Sequence, residues 1–137
     1  QDIHVEFDPE HLRRVLVNLL DNALRYMGPE EDSLQLSTRV TASGRASVQV
    51  WSNGPPMDQS VERHLFEPFF SSESRSSGLG LYICRGLCER HGASIGYQRL
   101  QRHVAESECS GNAFTVRFRS TGILSSPDAS LFDTVVV

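Results

Sequence analysis

The sequence predicts an α+β fold, a two-layer sandwich in which a mixed β-sheet packs on about three helices. Two observations carry this expectation. Residues 8–27, DPEHLRRVLVNLLDNALRYM, and residues 78–91 repeat apolar side chains at helical spacing. Residues 34–40, 46–51, 93–98 and 113–118 instead read as short strands bounded by turn residues. The resulting order is strand, helix, hairpin, short helix, polar segment, helix and two strands.

Each element has a local cause. Residues 3–7, IHVEF, alternate apolar and polar and predict a short opening strand. Asp8 can cap the first helix and Pro9 suits its first turn, while Leu12, Val15, Leu16, Leu19, Ala23 and Met27 form the buried stripe and Gly28-Pro29 ends it. The turn ASGR at 42–45 makes a hairpin the simplest link between the next two strands. SNGPPM at 52–57 must then leave the sheet, because Pro55 and Pro56 remove two ladder donors and Gly54 permits positive φ. A short helix at 58–65 leads into three phenylalanines around Pro68, which predict an anchor. Residues 71–77 hold five serines with one Glu and one Arg and predict a mobile segment. Gly78-Leu79-Gly80 opens the second long helix, with Leu79, Ile83 and Leu87 on one side and His91-Gly92 at its end. A polar loop is expected at 102–112 between the closing strands, and a tail without clear period after residue 119. The division is therefore a domain at 1–119 and a tail at 120–137.

Composition narrows the function classes. A chain of 137 residues is one domain, and 39% hydrophobic, 22% charged and a net charge of −4 are globular values with no basic patch for nucleic acid. No apolar run approaches the roughly 20 residues of a membrane span, so no direct membrane contact and a cytosolic domain are expected. Three cysteines, at 84, 88 and 109, show no CxxC spacing and predict reduced thiols. Cys84, Cys88 and His91 share a helical face, but a metal site needs about four ligands, and small core thiols are the favoured reading.

Asn18, Asn22 and Arg25 fall within roughly 60° of one another on a strip beside the apolar stripe of the first helix. Asparagine competes for backbone groups within a helix, so two of them one turn apart have either a ligand or a surface place beside the core. As ligands, amide oxygens suit Mg²⁺ and the Arg25 guanidinium suits phosphate. The glycine-rich entry to the second helix exposes N–H groups that can also meet phosphate, although one GxG is weak by itself.

Taken in order, NLLDNALRY at 18–26, SNGPPM at 52–57, HLFEPFF at 64–70 and GLGLYI at 78–83 resemble the N box, first glycine box, F box and second glycine box of sensor histidine kinase catalytic domains, in the GHKL ATPase superfamily. The resemblance covers about residues 3–119, and the serine-rich lid with GLGLYICRGLCERHGA further resembles the nitrogen-regulator and PilS-like kinases. It implies ATP and Mg²⁺ as cofactors, an ATP lid at 71–77, and transfer of the γ-phosphoryl group to a histidine on separate dimerisation helices. It further implies a downstream response regulator and a membrane-anchored parent. Asn22 would hold Mg²⁺, with Asn18 close to the terminal phosphate or a metal-bound water. Arg25 and Tyr26 would flank the nucleotide, and Ser52 would stand at the adenine-reading position. Asn53, Gly54, Phe69, Arg75, Ser77, Gly78, Leu79, Gly80 and Leu81 complete the implied ATP-binding set.

Related ATPases that hydrolyse ATP carry a general-base Glu at the place of Asn18, and an amide cannot take water's proton. Three departures stand out: Ser52 replaces the family's Asp, Pro56 replaces a glycine, and Glu73 stands where close relatives often place Lys. They motivate an alternative, a degenerate nucleotide-binding or pseudokinase interaction module. An anti-sigma type serine kinase ranks below both.

Overall fold

The computed structural model describes residues 3–26, 33–70, 79–104, 106–119 and 132–136. Its elements are α1 (Pro9–Tyr26), β1 (Leu34–Val40), β2 (Ala46–Asn53), α2 (Gln59–Arg63), α3 (Gly80–Arg90), β3 (Ser94–Val104), β4 (Ser107–Arg117) and β5 (Phe132–Val136). The strands form one sheet in the order β3-β4-β2-β1-β5. Helices cover one face, so the expected two-layer α+β sandwich is borne out.

The sheet is antiparallel in every pairing, where a mixed sheet was expected. After the α2–α3 crossover β3 does run parallel to β2, but β4 turns back and lies between them. The 3–7 segment forms no strand. Its alternation reflects burial, since Ile3, Val5 and Phe7 pack against the core, and Phe7 meets Phe118 edge-on at 5.6 Å.

Val15, Leu19 and Ala23 of α1 and Cys84 and Cys88 of α3 pack onto Val48 and Val50 of β2 and Phe114 and Val116 of β4. The deepest face of α3 is thus lined by two thiols, while Leu79, Ile83 and Leu87 are only half-buried. Asp8 caps α1 through Oδ1, which accepts from the Glu10 and His11 N–H groups. At the other end of α3, Gly92 takes φ 71°, the left-handed geometry that lets the chain turn into β3.

The polar loop expected at 102–112 is instead the continuation of two long strands. Residue pairs from Ser94↔Arg117 to Val104↔Ser107 stay in register, and the far end of this hairpin crosses the sheet face opposite the helices. There Trp51 Nε1 donates to the Leu100 carbonyl at 2.8 Å, Gln35 Nε2 to the His103 carbonyl at 2.8 Å, and Arg102 Nη2 to Gln49 Oε1 at 2.5 Å. Trp51, Val104 and Ala113 form a second small core under it. Polar side chains hid these strands because they bind the polar back of the sheet. Gly111 allows the close crossing: a Cβ there would lie 2.4 Å from the Trp51 ring and 2.5 Å from the Ser52 carbonyl oxygen.

Candidate functional site

Helices α1 and α3 pack antiparallel. His11 near the start of α1 meets His91 at the end of α3, with Nδ1 and Nε2 2.9 Å apart, and the Cys84 thiol donates to the Val15 carbonyl at 3.7 Å. The Asn18 side chain lies close enough to Cys84 to act on its thiol. The strip 11, 15, 18 therefore runs down α3 toward its start, and Asn22, half-buried one turn further on, follows the same line toward Gly80. Leu79, at the N-cap of α3, makes no side-chain cap, and the first-turn N–H groups have no intrahelical partner, so among the described residues this end of α3 is open. Gly80 is exposed, Leu79 and Leu81 are half-buried, and Arg25 is exposed on the last turn of α1. The asparagine strip and the open end of α3 thus lie at the same end of the helical layer.

Ser52 stands on the helix-facing side of β2, only 4% exposed, paired with Leu34 on one flank and Asn112 on the other. Ser52 and Asn53 remain in the sheet, a difference from the expected exit at 52, and the chain leaves at Gly54. The Asn53 N–H donates to the Ser33 carbonyl at 2.8 Å. Three residues that sequence reasoning did not single out hold the loop beyond. Arg99 Nη1 donates to the Gly54 carbonyl at 2.7 Å and to Asn112 Oδ1 at 3.1 Å. Asn112 Nδ2 donates to the Pro55 carbonyl at 3.1 Å, and Tyr97 Oη donates to Asn112 Oδ1 at 2.6 Å. Their one visible signal was the period-two placement of Tyr97 and Arg99 in a strand.

Of the three phenylalanines expected to anchor, Phe66 does so, edge-on to Phe114 at 6.3 Å, while Phe70 lies 5.4 Å from His64. Phe69 is 78% exposed and holds φ 63°, a left-handed backbone that strains a bulky residue. The Tyr26 side chain, Gly78 and the lid expected at 71–77, with Arg75 and Ser77, lie outside the described residues.

Burial pushes the Cys84 thiol up to about 11, against an opposing pull from Asn18 and Arg14. Cys88 is pushed up to about 12 by burial and then by Cys84 and Glu89. Both thiols stay protonated at neutral pH, which suits core packing and disfavours metal binding. Among the described residues no three His, Cys, Asp or Glu side chains gather into a metal centre. A cation at this end would be held by amide oxygens and by its own anionic ligand, and the half-buried asparagines beside open helix N–H groups suit that arrangement. No helix of the described residues is long and apolar enough to cross a membrane.

A helical layer that ends in an asparagine strip and an open helix N-terminus, over an antiparallel sheet, defines a histidine-kinase-like ATPase fold. The chain belongs to the family described as histidine kinase-, DNA gyrase B- and HSP90-like ATPases, whose profile matches residues 7–122. The chain is thus a member of an ATP-binding family, and the resemblance carried by the four motifs is borne out. It is similar to the sensor protein kinase PilS of Pseudomonas aeruginosa, 39% identical over 100 residues, which cover 71% of this chain and 19% of that one. It is similar also to the sensory histidine kinase/phosphatase NtrB of Salmonella typhimurium, 34% identical over 106 residues, covering 71% of this chain and 30% of that one. The match thus spans less than a third of either relative. Among solved structures, the nucleotide-free catalytic domain of histidine kinase ThkA superposes with a TM-score of 0.70 at 29% identity, covering 88% of this chain and 74% of that one. The mycobacterial sensor histidine kinase MprB, at 22% identity and a TM-score of 0.65, shares the fold; 85% of this chain and 78% of that one are covered.

Proposed function

We propose that this chain is the catalytic ATP-binding domain of a sensor histidine kinase, with residues 1–119 as the domain and 120–137 as a C-terminal tail that adds β5 to the edge of its sheet. It binds Mg²⁺·ATP and passes the γ-phosphoryl group to a histidine on separate dimerisation helices of the same parent, from which a response regulator receives it. The observation that carries this reading is the antiparallel packing of α1 on α3, which supports a phosphate site made of Asn18, Asn22 and the uncapped first turn of α3.

Each residue then has a task. Asn22 presents its amide oxygen to Mg²⁺, which when bound neutralises charge on the phosphates. Gly78, Leu79, Gly80 and Leu81 hold phosphate oxygens at the positive end of α3. Arg25 and Tyr26 flank the nucleotide, Ser52 accepts from the adenine amino group, and Asn53, Gly54 and Phe69 contribute the surrounding wall. Arg75 and Ser77 close over the phosphates with the lid. Asn18 has no basic lone pair to offer water, so the phosphoryl group is kept for the acceptor histidine. None of His4, His11, His64, His91 and His103 lies in the HE-type helical motif of such an acceptor. The domain faces the cytoplasm under a membrane-anchored parent and binds neither nucleic acid nor lipid itself.

Calorimetric titration with a non-hydrolysable ATP analogue tests this reading. Mg²⁺-dependent binding between micromolar and sub-millimolar, roughly −8 to −5 kcal/mol, is expected, and its loss in Asn22→Ala. The full-length parent should label at a histidine with ATP, and Asn22→Ala should not. Absence of heat in the unaltered chain would overturn the kinase reading in favour of an interaction module.

A further inference from the structure

Arg99, Asn112 and Ser52 stand in one register row across β3, β4 and β2, on the helix-facing side of the sheet, with Tyr97 two residues before Arg99 on the same face. From this row we infer that Arg99, Asn112 and Tyr97 are positioning residues that fix the loop after β2 as the base-side wall of a purine-nucleotide site. The inference rests on the nucleotide reading above and adds to it the group that shapes its base end.

The loop needs such a group. Beyond Asn53 the chain has left the ladder, and Pro55 and Pro56 bring no N–H with which to anchor it. Its carbonyls at Gly54 and Pro55 are instead taken by Arg99 Nη1 at 2.7 Å and Asn112 Nδ2 at 3.1 Å. The amide of Asn112 can sit only one way round. Its Oδ1 receives both Tyr97 Oη at 2.6 Å and Arg99 Nη1 at 3.1 Å, so a flipped amide would set an N–H group against the guanidinium and its oxygen against the Pro55 carbonyl. Arg99 Nη2 reaches the Ser110 carbonyl at 3.3 Å, which ties the guanidinium to β4 as well. Asn112 is 5% exposed, and removing either donor to its Oδ1 leaves part of a buried network unsatisfied.

Geometry then separates the clamp from the contacts it serves. Both anchored carbonyls already accept from a protein donor, which fixes their direction while leaving each one lone pair. Ser52, one residue before Asn53-Gly54 and directly opposite Asn112, remains the polar side chain of this row for a base edge. The clamp touches loop and not phosphate, since the open end of α3 belongs to the other layer.

The test uses this chain with Arg99→Ala, Arg99→Lys and Tyr97→Phe, and needs two readouts. Hydrogen exchange without ligand should show the amides of residues 53, 54 and 57 exchanging at least about tenfold faster in Arg99→Ala, with α1 and α3 protected as before. Affinity for a Mg²⁺-loaded non-hydrolysable ATP analogue should fall about tenfold, while affinity for Mg²⁺·tripolyphosphate, which has no base, stays unchanged. Arg99→Lys and Tyr97→Phe should fall between. Unchanged exchange with unchanged analogue affinity would overturn the clamp, and equal losses of analogue and tripolyphosphate would overturn its base-side role. Faster exchange in a chain that, even unaltered, binds neither probe would retain the clamp as a loop anchor and overturn the nucleotide reading on which its base-side role rests.

Discussion

His11 Nδ1 and His91 Nε2 lie 2.9 Å apart and join the first turn of α1 to the end of α3, with Phe7 stacked 4.3 Å from the His91 ring. One imidazole must donate and the other accept, so the contact exists only while at least one ring is neutral. A double-mutant cycle with His11→Ala and His91→Ala should return about 0.5–1.5 kcal/mol of coupling at neutral pH. Additive single effects at neutral pH would show that the pair contributes nothing.

The thiols predict an alkaline weakness. Cys84 and Cys88 are pushed from the ordinary 9.0 to about 11 and about 12, chiefly by burial. A raised folded value means that their stabilising contribution is complete below 9 and is lost as pH climbs through the folded values. Denaturant midpoints should drop above pH 9, and less so in Cys84→Ala/Cys88→Ala measured against its own neutral value. Alkylation of the native chain at pH 8 should mark the half-buried Cys109 first.

Ser52→Asp should strengthen binding of the ATP analogue roughly tenfold, because a carboxylate makes a charge-assisted bond to the adenine amino group where a hydroxyl makes a neutral one. It should also sharpen base choice. A hydroxyl both donates and accepts and so tolerates the keto oxygen of hypoxanthine, whereas a carboxylate only accepts. Competition between ATP and ITP analogues measures this, and an unchanged ratio would remove Ser52 from the base edge.

Gly111→Ala should cost about 1–3 kcal/mol, since the new methyl has no room between the Trp51 ring and the Ser52 carbonyl. Gly96→Ala, where nothing lies within 4 Å of a built Cβ, is the matched control. Urea midpoints that moved equally for both would point to strand propensity alone.

Elements with a strong period were legible in advance. α1 follows from its apolar stripe and Asp8 cap, and the β1–β2 hairpin from its turn, where Gly44 takes φ 86°. What stayed hidden depends on contacts between segments far apart in the chain. The ends of β3 and β4 read as loop because Gln101, Arg102, Ser107 and Glu108 have no apolar alternation, and the partner that makes them strand is the back of the same sheet. Residues 3–7 gave the opposite error, a true alternation with no neighbouring ladder. Asn22 carried a local signal, being an amide in a helix, whereas Asn112 acquires its place only when β2, β3 and β4 stand side by side.

Trp51 is the chain's single tryptophan, has no solvent exposure, and sits beside Ser52 beneath the curled end of the β3–β4 hairpin. The molecule therefore carries a built-in optical reporter at the root of its candidate nucleotide loop. Its emission should be blue-shifted in the folded chain, and lifting the hairpin or loosening the loop can each be followed without attaching a dye.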